Sequence, residues 1–406
     1  MSATLRPFAL VALISATLVL GLNMGVRQTF GLFLEPMTDA LSISHGAFSM
    51  AIALQNLLWG ALQPACAALA DRYGTGKVLT VGGICYAAGL VVMALVQTPL
   101  GLHLGAGLLV GIAVAASGFP LVLAAVARAA PPEKRSAWLG IAAAGGSMGQ
   151  FALLPGAQAL IGGFGWVAAL LVLAVAAALI VPCAAALSGK AVAASKHDTQ
   201  TLTGAVGEAG RHSGYLMLTA GFFVCGFHVA FMATHLPAYI SSVGLSPFVG
   251  ATALSLIGFF NIIGSFGAGW LGGRFRKKRV LTGIYLARSI AIAFLMILPT
   301  SDVTIYIFAS AFGLLWLGTV PLTGGLVGEI FGARYMATLF GFVMFSHQIG
   351  AFFGAWLGGV SYDITGSYDA VWSLAIILGL IAAALHWPIR DKPVDRLVEM
   401  EAAERA

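Results

Sequence analysis

The sequence predicts an all-α membrane protein whose twelve transmembrane helices form two pseudo-symmetric six-helix bundles. Three observations predict it. Hydrophobic residues make up 59% of the chain and charged residues only 9%, against about 25% charged in a soluble domain, so the surface is built for lipid. The 406 residues divide into twelve apolar stretches, each near or above the roughly 20 residues that a helix needs to cross a bilayer. The first six stretches then recur, at a nearly constant spacing, as the last six.

In order, the spans fall near 7–34, 44–70, 77–97, 100–129, 135–162, 165–187, 214–241, 247–273, 278–298, 303–330, 335–361 and 368–389. The first is not a cleavable signal, because it is long, lacks a small-residue cleavage site and continues through the polar Arg27. The second ends in a charged turn, ALADRYGTGK (68–77). Pro120 in the fourth span and Pro321 in the tenth predict kinks at matching depth. The fifth carries GIAAAGGSMG (140–149) and the eleventh GAFFGAWLGG (350–359), small residues at helical spacing that let backbones approach closely. The seventh span holds His228 and His235, the eighth Asn261 and Ser265, the ninth Arg288, and the eleventh His347 and Gln348. The segment 188–213 is rich in Ser, Thr, Gly, Ala and charge without apolar periodicity, which predicts a flexible tether. The expected organisation is a bundle over 1–187, a linker over 188–213, a second bundle over 214–389 and a tail over 390–406.

The repeat is visible residue by residue. Pro36 corresponds to Pro237 (237 − 36 = 201), Pro120 to Pro321, Gly149 to Gly350, and Arg72 to Arg274 at an offset of 202. Parallel six-helix repeats that face each other place a substrate site between them near mid-depth. The same offset pairs Arg27 with His228 and Gly146 with His347, so ionisable groups recur where such a site would be lined.

Of the 21 Lys and Arg residues, only Arg27 and Arg288 lie inside spans away from the basic ends. The others (Arg72, Lys77, Arg128, Lys134, Arg135, Lys190, Lys196, Arg211, the run from Arg274 to Arg279, and Arg334) occupy the even-numbered connections, with Arg6 and Arg390, Lys392, Arg396 and Arg405 at the ends. The odd-numbered connections carry only acidic residues: Glu35, Asp39, Asp302, Asp363 and Asp369. By the positive-inside rule both termini are cytoplasmic, in a multi-pass protein of the cell membrane. The net charge of +6 therefore reads as orientation signal and lipid headgroup contact, not as nucleic-acid affinity. Four cysteines at no motif spacing, Cys66, Cys85, Cys183 and Cys225, read as packing residues. No metal-ligand spacing, phosphate-binding loop or nucleophile–base pair is present, so neither a cofactor nor an enzyme is expected.

Several motifs tie the pattern to a family. The turn at 68–77 keeps Leu69, Asp71, Arg72, Gly74 and Lys77 of the loop signature of the major facilitator superfamily, and departs from it at Ala67 and Gly76. The first span, GVRQTFGLFLEPM (25–37), resembles the monocarboxylate transporter and oxalate/formate antiporter branch, bacterial members included. Arg27 falls where that branch carries a substrate-linked basic residue. KRSAWLGIAAAGGSMGQ (134–150) and FSHQIGAFFGAWLGG (345–359) are similar to the branch as well, with His347 at or beside a basic position of its oxalate/formate members. The eighth span departs, with Asn261 and Ser265 where mammalian members carry Asp and Arg. The resemblance implies the major facilitator fold, a cytoplasmic gate at Asp71, Arg72 and Lys77, and location in a bacterial inner membrane.

An arginine at mid-bilayer costs about 2.5–3.5 kcal/mol on insertion scales, which makes Arg27 the leading functional residue. Its planar fork matches a carboxylate, and it stays charged when buried. No Asp or Glu lies mid-span, which disfavours cationic substrates. Arg288, on a peripheral span, reads first as a structural tie. The expectation is a monomeric secondary transporter of a small organic anion, a monocarboxylate by preference. Arg27, His347, Gln348, His228, Asn261 and Ser265 would line its site, with His347 and His228 as proton-coupling candidates. Proton coupling and anion exchange both stay open, as does export of a larger amphipathic metabolite held by Phe30, Phe119 and Trp316.

Overall fold

A computed structural model describes residues 7–188, 201–332 and 334–397, and nearly all of them are helical. Arg6, Lys190, Lys196 and Arg405, residues 189–200 of the expected linker, and the end of the expected tail lie outside the described residues. Among the described residues, eleven helices are long and apolar enough to cross a membrane, one of them the 50-residue Ala137–Ala186. At 1.5 Å per residue it would run about 75 Å, more than twice the bilayer core. It breaks at Gly165, whose φ of 81° and ψ of 165° suit only glycine, and so makes two spans.

We number the spans α1 (Ala9–Leu41), α2 (His45–Tyr73), α3 (Thr75–Leu95), α4 (Pro99–Ala129), α5 and α6 (the arms of Ala137–Ala186 on either side of Gly165), α7 (Ser213–Ser242), α8 (Pro247–Arg274), α9 (Lys277–Ile297), α10 (Asp302–Phe331), α11 (Met336–Thr365) and α12 (Asp369–His386). Lipid tails are as apolar as leucine, so these helices associate through close packing and hydrogen bonds. Glycine supplies the closeness at symmetric places. A methyl group on Gly149 of α5 would strike the Gly21 carbonyl of α1, and one on Gly350 of α11 would strike the Phe223 carbonyl of α7.

α4 and α10 are each broken near mid-depth, slightly before the expected kinks. In α4 the backbone turns extended at Gly118, with φ −80° and ψ 179°. In α10 the helix stops at Leu314 and restarts at Thr319. Pro120 and Pro321 therefore sit in the first turn of the second segments, where a missing N–H costs nothing. Asn23 of α1 donates its side-chain amide to Ser117 Oγ at the α4 break, 2.5 Å away.

The linker also differs from expectation. Residues Leu202–Arg211 form a helix, started by Thr201 Oγ1 accepting from Gly204 N at 3.1 Å. Ala205 and Ala209, four apart, are its buried positions. Local capping and one small-residue stripe suffice for a short docked helix, which a search for long apolar periodicity overlooks. Nearby, Lys278 Nζ donates to the Ile389 carbonyl at 2.6 Å, Val394 N to Ile330 O at 3.0 Å, and Arg276 pairs with Asp391.

Candidate substrate site between the two halves

The halves meet along α2–α11 and α5–α8. At the end that carries the acidic connections the seam is shut. Asp363 of α11 accepts from the first backbone amides of α2, His45 N at 2.9 Å and Gly46 N at 2.8 Å. A carboxylate from one half thus caps a helix N-terminus in the other, which combines two charge-assisted hydrogen bonds with a favourable dipole. His45 Nε2 lies 3.2 Å from Glu35 Oε1, and its ring packs 4.3 Å from that of Tyr362. Deeper, His235 Nε2 lies 2.6 Å from the Ala355 carbonyl, and Ser49 Oγ is within 3.5 Å. Along α5–α8, Gln150 donates to Leu254 O at 2.9 Å and Ser255 to Phe151 O at 2.7 Å.

Among the described residues, hydrogen bonds between spans of opposite halves reach no nearer the basic end than Asn261–Ser147, at 2.8 Å. Beyond that level large apolar side chains of α2, α5, α8 and α11, such as Leu69, Ile141, Phe266 and Phe345, are exposed. Asp71, Arg72 and Lys77 are exposed there as well and take part in no ion pair among the described residues; Arg72 lies over the ring of Tyr73 at 5.2 Å. The structure is closed at the acidic end and parted at the basic end.

Arg27 sits in the last turn of the first helical segment of α1, which ends at Gln28, just before the Phe30–Phe33 turn within the same span. It is buried, at 8% exposure. Its guanidinium donates from Nη2 to Asn56 Oδ1 at 2.5 Å and lies 4.9 Å from the centre of the Trp59 ring. Nε has no partner, and no carboxylate pairs with the group among the described residues. Beside it is a small void between the halves, lined by Arg27, Gln28, Gln55 and Ile52 on one side and Ala230, Ala233 and Thr234 on the other. Its volume of about 10 Å³ is at the lower limit for one water molecule. Gln28 Oε1 and Gln55 Oε1 also lack partners. Several unsaturated polar atoms therefore converge on one spot at the inter-half seam, with a fixed positive charge among them.

The other expected residues are placed differently. His347 is buried on α11, with Nδ1 3.3 Å from Gln348 Oε1 and its ring 5.0 Å from Phe222. Its Nε2 and the Gln348 Nε2 are unpartnered, and Gln348 packs against Gly60 of α2. Asn261 is fully engaged: it donates to Ser147 and accepts from Leu317 N at 2.9 Å and Ser265 Oγ at 3.2 Å. It and Ser265 therefore brace the α10 break and the α5–α8 seam, and do not present free ligand groups. His228 is not brought to the Arg27 void. Its Nε2 meets the Ala375 carbonyl of α12 at 2.8 Å, within the C-terminal half. Helical depth alone placed it opposite Arg27, but its azimuth faces α12. Arg288 is tied to the backbone, donating from Nε and Nη2 to the Leu315 carbonyl, at 3.1 and 2.7 Å, and from Nη2 to Trp316 O, while its buried Nη1 has no partner.

One contributor to the surroundings of Arg27, Trp59, escaped the sequence reading, whereas Asn56 is among the polar residues expected to complete the cavity. Asn56, one helical turn from Ile52 on α2, holds the arginine fork, and Trp59 three residues on supplies its aromatic face. Their i, i+3 spacing beside an intramembrane arginine was the available signal. The Asp363 clasp had only a weak one, an N-cap serine at Ser44 facing an acidic connection.

Two pseudo-symmetric helical bundles, parted at one end and clasped at the other, with buried polar groups at the seam, define a membrane transporter of the alternating-access kind. The chain belongs to the Major Facilitator Superfamily, whose model matches residues 16–355. It is 25% identical over 380 residues to monocarboxylate transporter 13 of Rattus norvegicus, covering 90% of this chain and 85% of that one. It is 23% identical over 414 residues to the oxalate:formate antiporter of Oxalobacter formigenes, covering 97% and 95%. Among solved structures it is similar to a bacterial homologue of the human lysosomal transporter Spinster, with a TM-score of 0.73 at 18% identity over 94% of this chain and 96% of that one.

Proposed function

We propose that this transporter carries a small organic anion, a monocarboxylate by preference, and that Arg27 is its anion-binding group. The single observation that carries the reading is the state of that guanidinium. It is buried at the seam, has one hydrogen bond to a neutral amide, and has no carboxylate partner among the described residues. A buried charge without a counter-ion is costly unless something arrives to neutralise it. An arriving carboxylate replaces the Asn56 oxygen, with Trp59 as the wall beside it. Neutralisation lowers the cost of closing the basic end around a dry site, while the Asp363 clasp releases the other end. The relatives named for monocarboxylate and oxalate:formate transport support this reading. His347, with a free nitrogen near the seam, is the remaining proton-coupling candidate; exchange of one anion for another needs no titrating group at all. Both termini and the parted end are assigned to the cytoplasm by the basic connections, in a monomer of the bacterial inner membrane.

The test is a thermal-shift screen of the purified protein against short carboxylates, followed by uptake into proteoliposomes with and without a pH gradient. Stabilisation by acids that Arg27→Gln abolishes is the expected result. Stabilisation only by bulky neutral or cationic compounds removes the anion reading and favours export of amphipathic metabolites.

A further inference from the structure

A groove of about 340 Å³ opens on the surface of the C-terminal half, away from the seam. Leu271 and Phe275 at the end of α8 form one wall, and Val280 and Ile284 of α9 form the other. Its inner end is Leu315, at the mid-depth break of α10, and Arg279 is its one charged lining residue, at the basic end. A slot that runs from a guanidinium at the membrane surface to apolar side chains at mid-depth has the polarity profile of a single lipid.

The charge balance around its mouth is specific. The run holds Arg274, Arg276, Lys277, Lys278 and Arg279. Arg276 is paired with Asp391, Lys277 with Glu329, and Lys278 with the Ile389 carbonyl. Arg274 lies over the Trp270 ring at 5.6 Å. Arg279 is exposed, and its side chain has no hydrogen-bond or ion-pair partner among the described residues. Five positive charges against the two carboxylates leave a surplus of three (5 − 2 = 3). A headgroup with no net charge leaves that surplus in place; a net-negative one offsets it.

We propose that this groove is a binding site for an anionic phospholipid of the leaflet at the basic end. One acyl chain lies along Leu271, Val280 and Ile284, and Arg279 donates to the phosphodiester. The chain tip packs against Leu315, whose carbonyl Arg288 grips from the other side at 2.7 Å. The bound lipid therefore supports the break in α10 from its outer face and ties membrane composition to the stability of the parted conformation.

Gly283 makes the idea separable from general stickiness. It lines the groove, and a Cβ built on it meets no atom within 4 Å. Gly283→Leu thus leaves the helix with an unobstructed Cβ and projects a side chain into the slot, and in a helix leucine is a better former than glycine. The experiment is native mass spectrometry and thermal shift of the full chain with phosphatidylglycerol, phosphatidylcholine, or soluble glycerol 3-phosphate. The expected result is a retained phosphatidylglycerol adduct with a raised Tm, and neither effect from the other two. Arg279→Gln weakens phosphatidylglycerol retention about fivefold, the worth of one surface cation near an anionic headgroup. Gly283→Leu, folded by its unchanged Tm in detergent, loses the adduct. Equal retention of phosphatidylcholine, stabilisation by glycerol 3-phosphate alone, or an adduct that survives Gly283→Leu each overturns the proposal.

Discussion

The N-terminal and C-terminal halves each bury one arginine, and the two are used in opposite ways. Arg288 hands its charge to the backbone: the α10 break exposes the Leu315 and Trp316 carbonyls, and the guanidinium takes both. It is enclosed by Tyr285 and Phe312, at 5.4 and 5.9 Å, and is fully buried. In the N-terminal half the α4 break needs no cation, because Asn23 and Ser117 brace it. Arg27 is therefore free of that duty and meets only one amide oxygen. A buried cation that grips two backbone carbonyls at a helix break is part of the scaffold, even with its Nη1 unpartnered. One that sits at the seam between the halves on a single amide oxygen is the one proposed to take a ligand.

The sharpest way to break this contrast is to neutralise each arginine in turn. Arg27→Gln is expected to lower anion affinity on the order of a hundredfold, a loss typical of one partner of a desolvated charge pair. Its Tm stays near that of the parent or rises. Arg288→Gln is expected to do the reverse, costing about 1.5–3 kcal/mol for each charge-assisted bond lost and leaving the anion affinity of the folded fraction unchanged. Ligand-dependent thermal shift reads both quantities at once; matching profiles for the two variants would erase the distinction.

A smaller effect is expected at Asn56, whose Oδ1 occupies a place on the Arg27 fork that a carboxylate would take. Asn56→Asp supplies an internal counter-ion. Anion binding should fall about tenfold or more as the fork is satisfied from within, while Tm rises. Asn56→Ala removes the competing oxygen and should leave binding intact. Binding that is insensitive to Asn56→Asp would mean that the fork is not where the anion sits.

The contrast also shows how far the sequence can be read. The offset of 201 residues located the symmetric helix pairs, and Gly149 and Gly350 do mark close approaches of the backbone. Intramembrane charge singled out both arginines, and the ninth span's peripheral place separated their roles. What was not legible is what depends on azimuth and on non-local backbone. His228 has the depth of Arg27 but faces α12, and Asn261 is spent on Leu317 N, an amide freed only because α10 breaks. A proline does not announce which carbonyls a nearby break will expose; Pro321 predicted a bend, not the partners of Arg288.

The clasp at the acidic end tests whether the halves move as units. Asp363→Asn keeps the shape but removes the charge that caps α2. A helix cap or a charge at the dipole is worth about 1 kcal/mol, so the balance between closed and open acidic ends should shift about fivefold. Spin labels on the acidic ends of α2 and α11 would show a larger long-distance population. An unchanged distribution would assign the seal to the glycine and histidine packing beneath it.

The least effect is expected where the tail meets the C-terminal half. The Arg276 guanidinium holds the Asp391 carboxyl below its ordinary range, with burial opposing and Lys278 assisting. Because the folded value is depressed, the contact stabilises the docked tail above the unfolded carboxylate range. That contribution is lost as pH falls through the lowered folded value. Limited proteolysis of the tail should therefore quicken only in acid. Arg276→Gln should quicken it already at neutral pH and flatten its acid dependence, without altering Arg27-dependent anion binding. A neutral-pH rate that does not change would leave the Val394–Ile330 backbone bond, at 3.0 Å, as the tie that holds the tail.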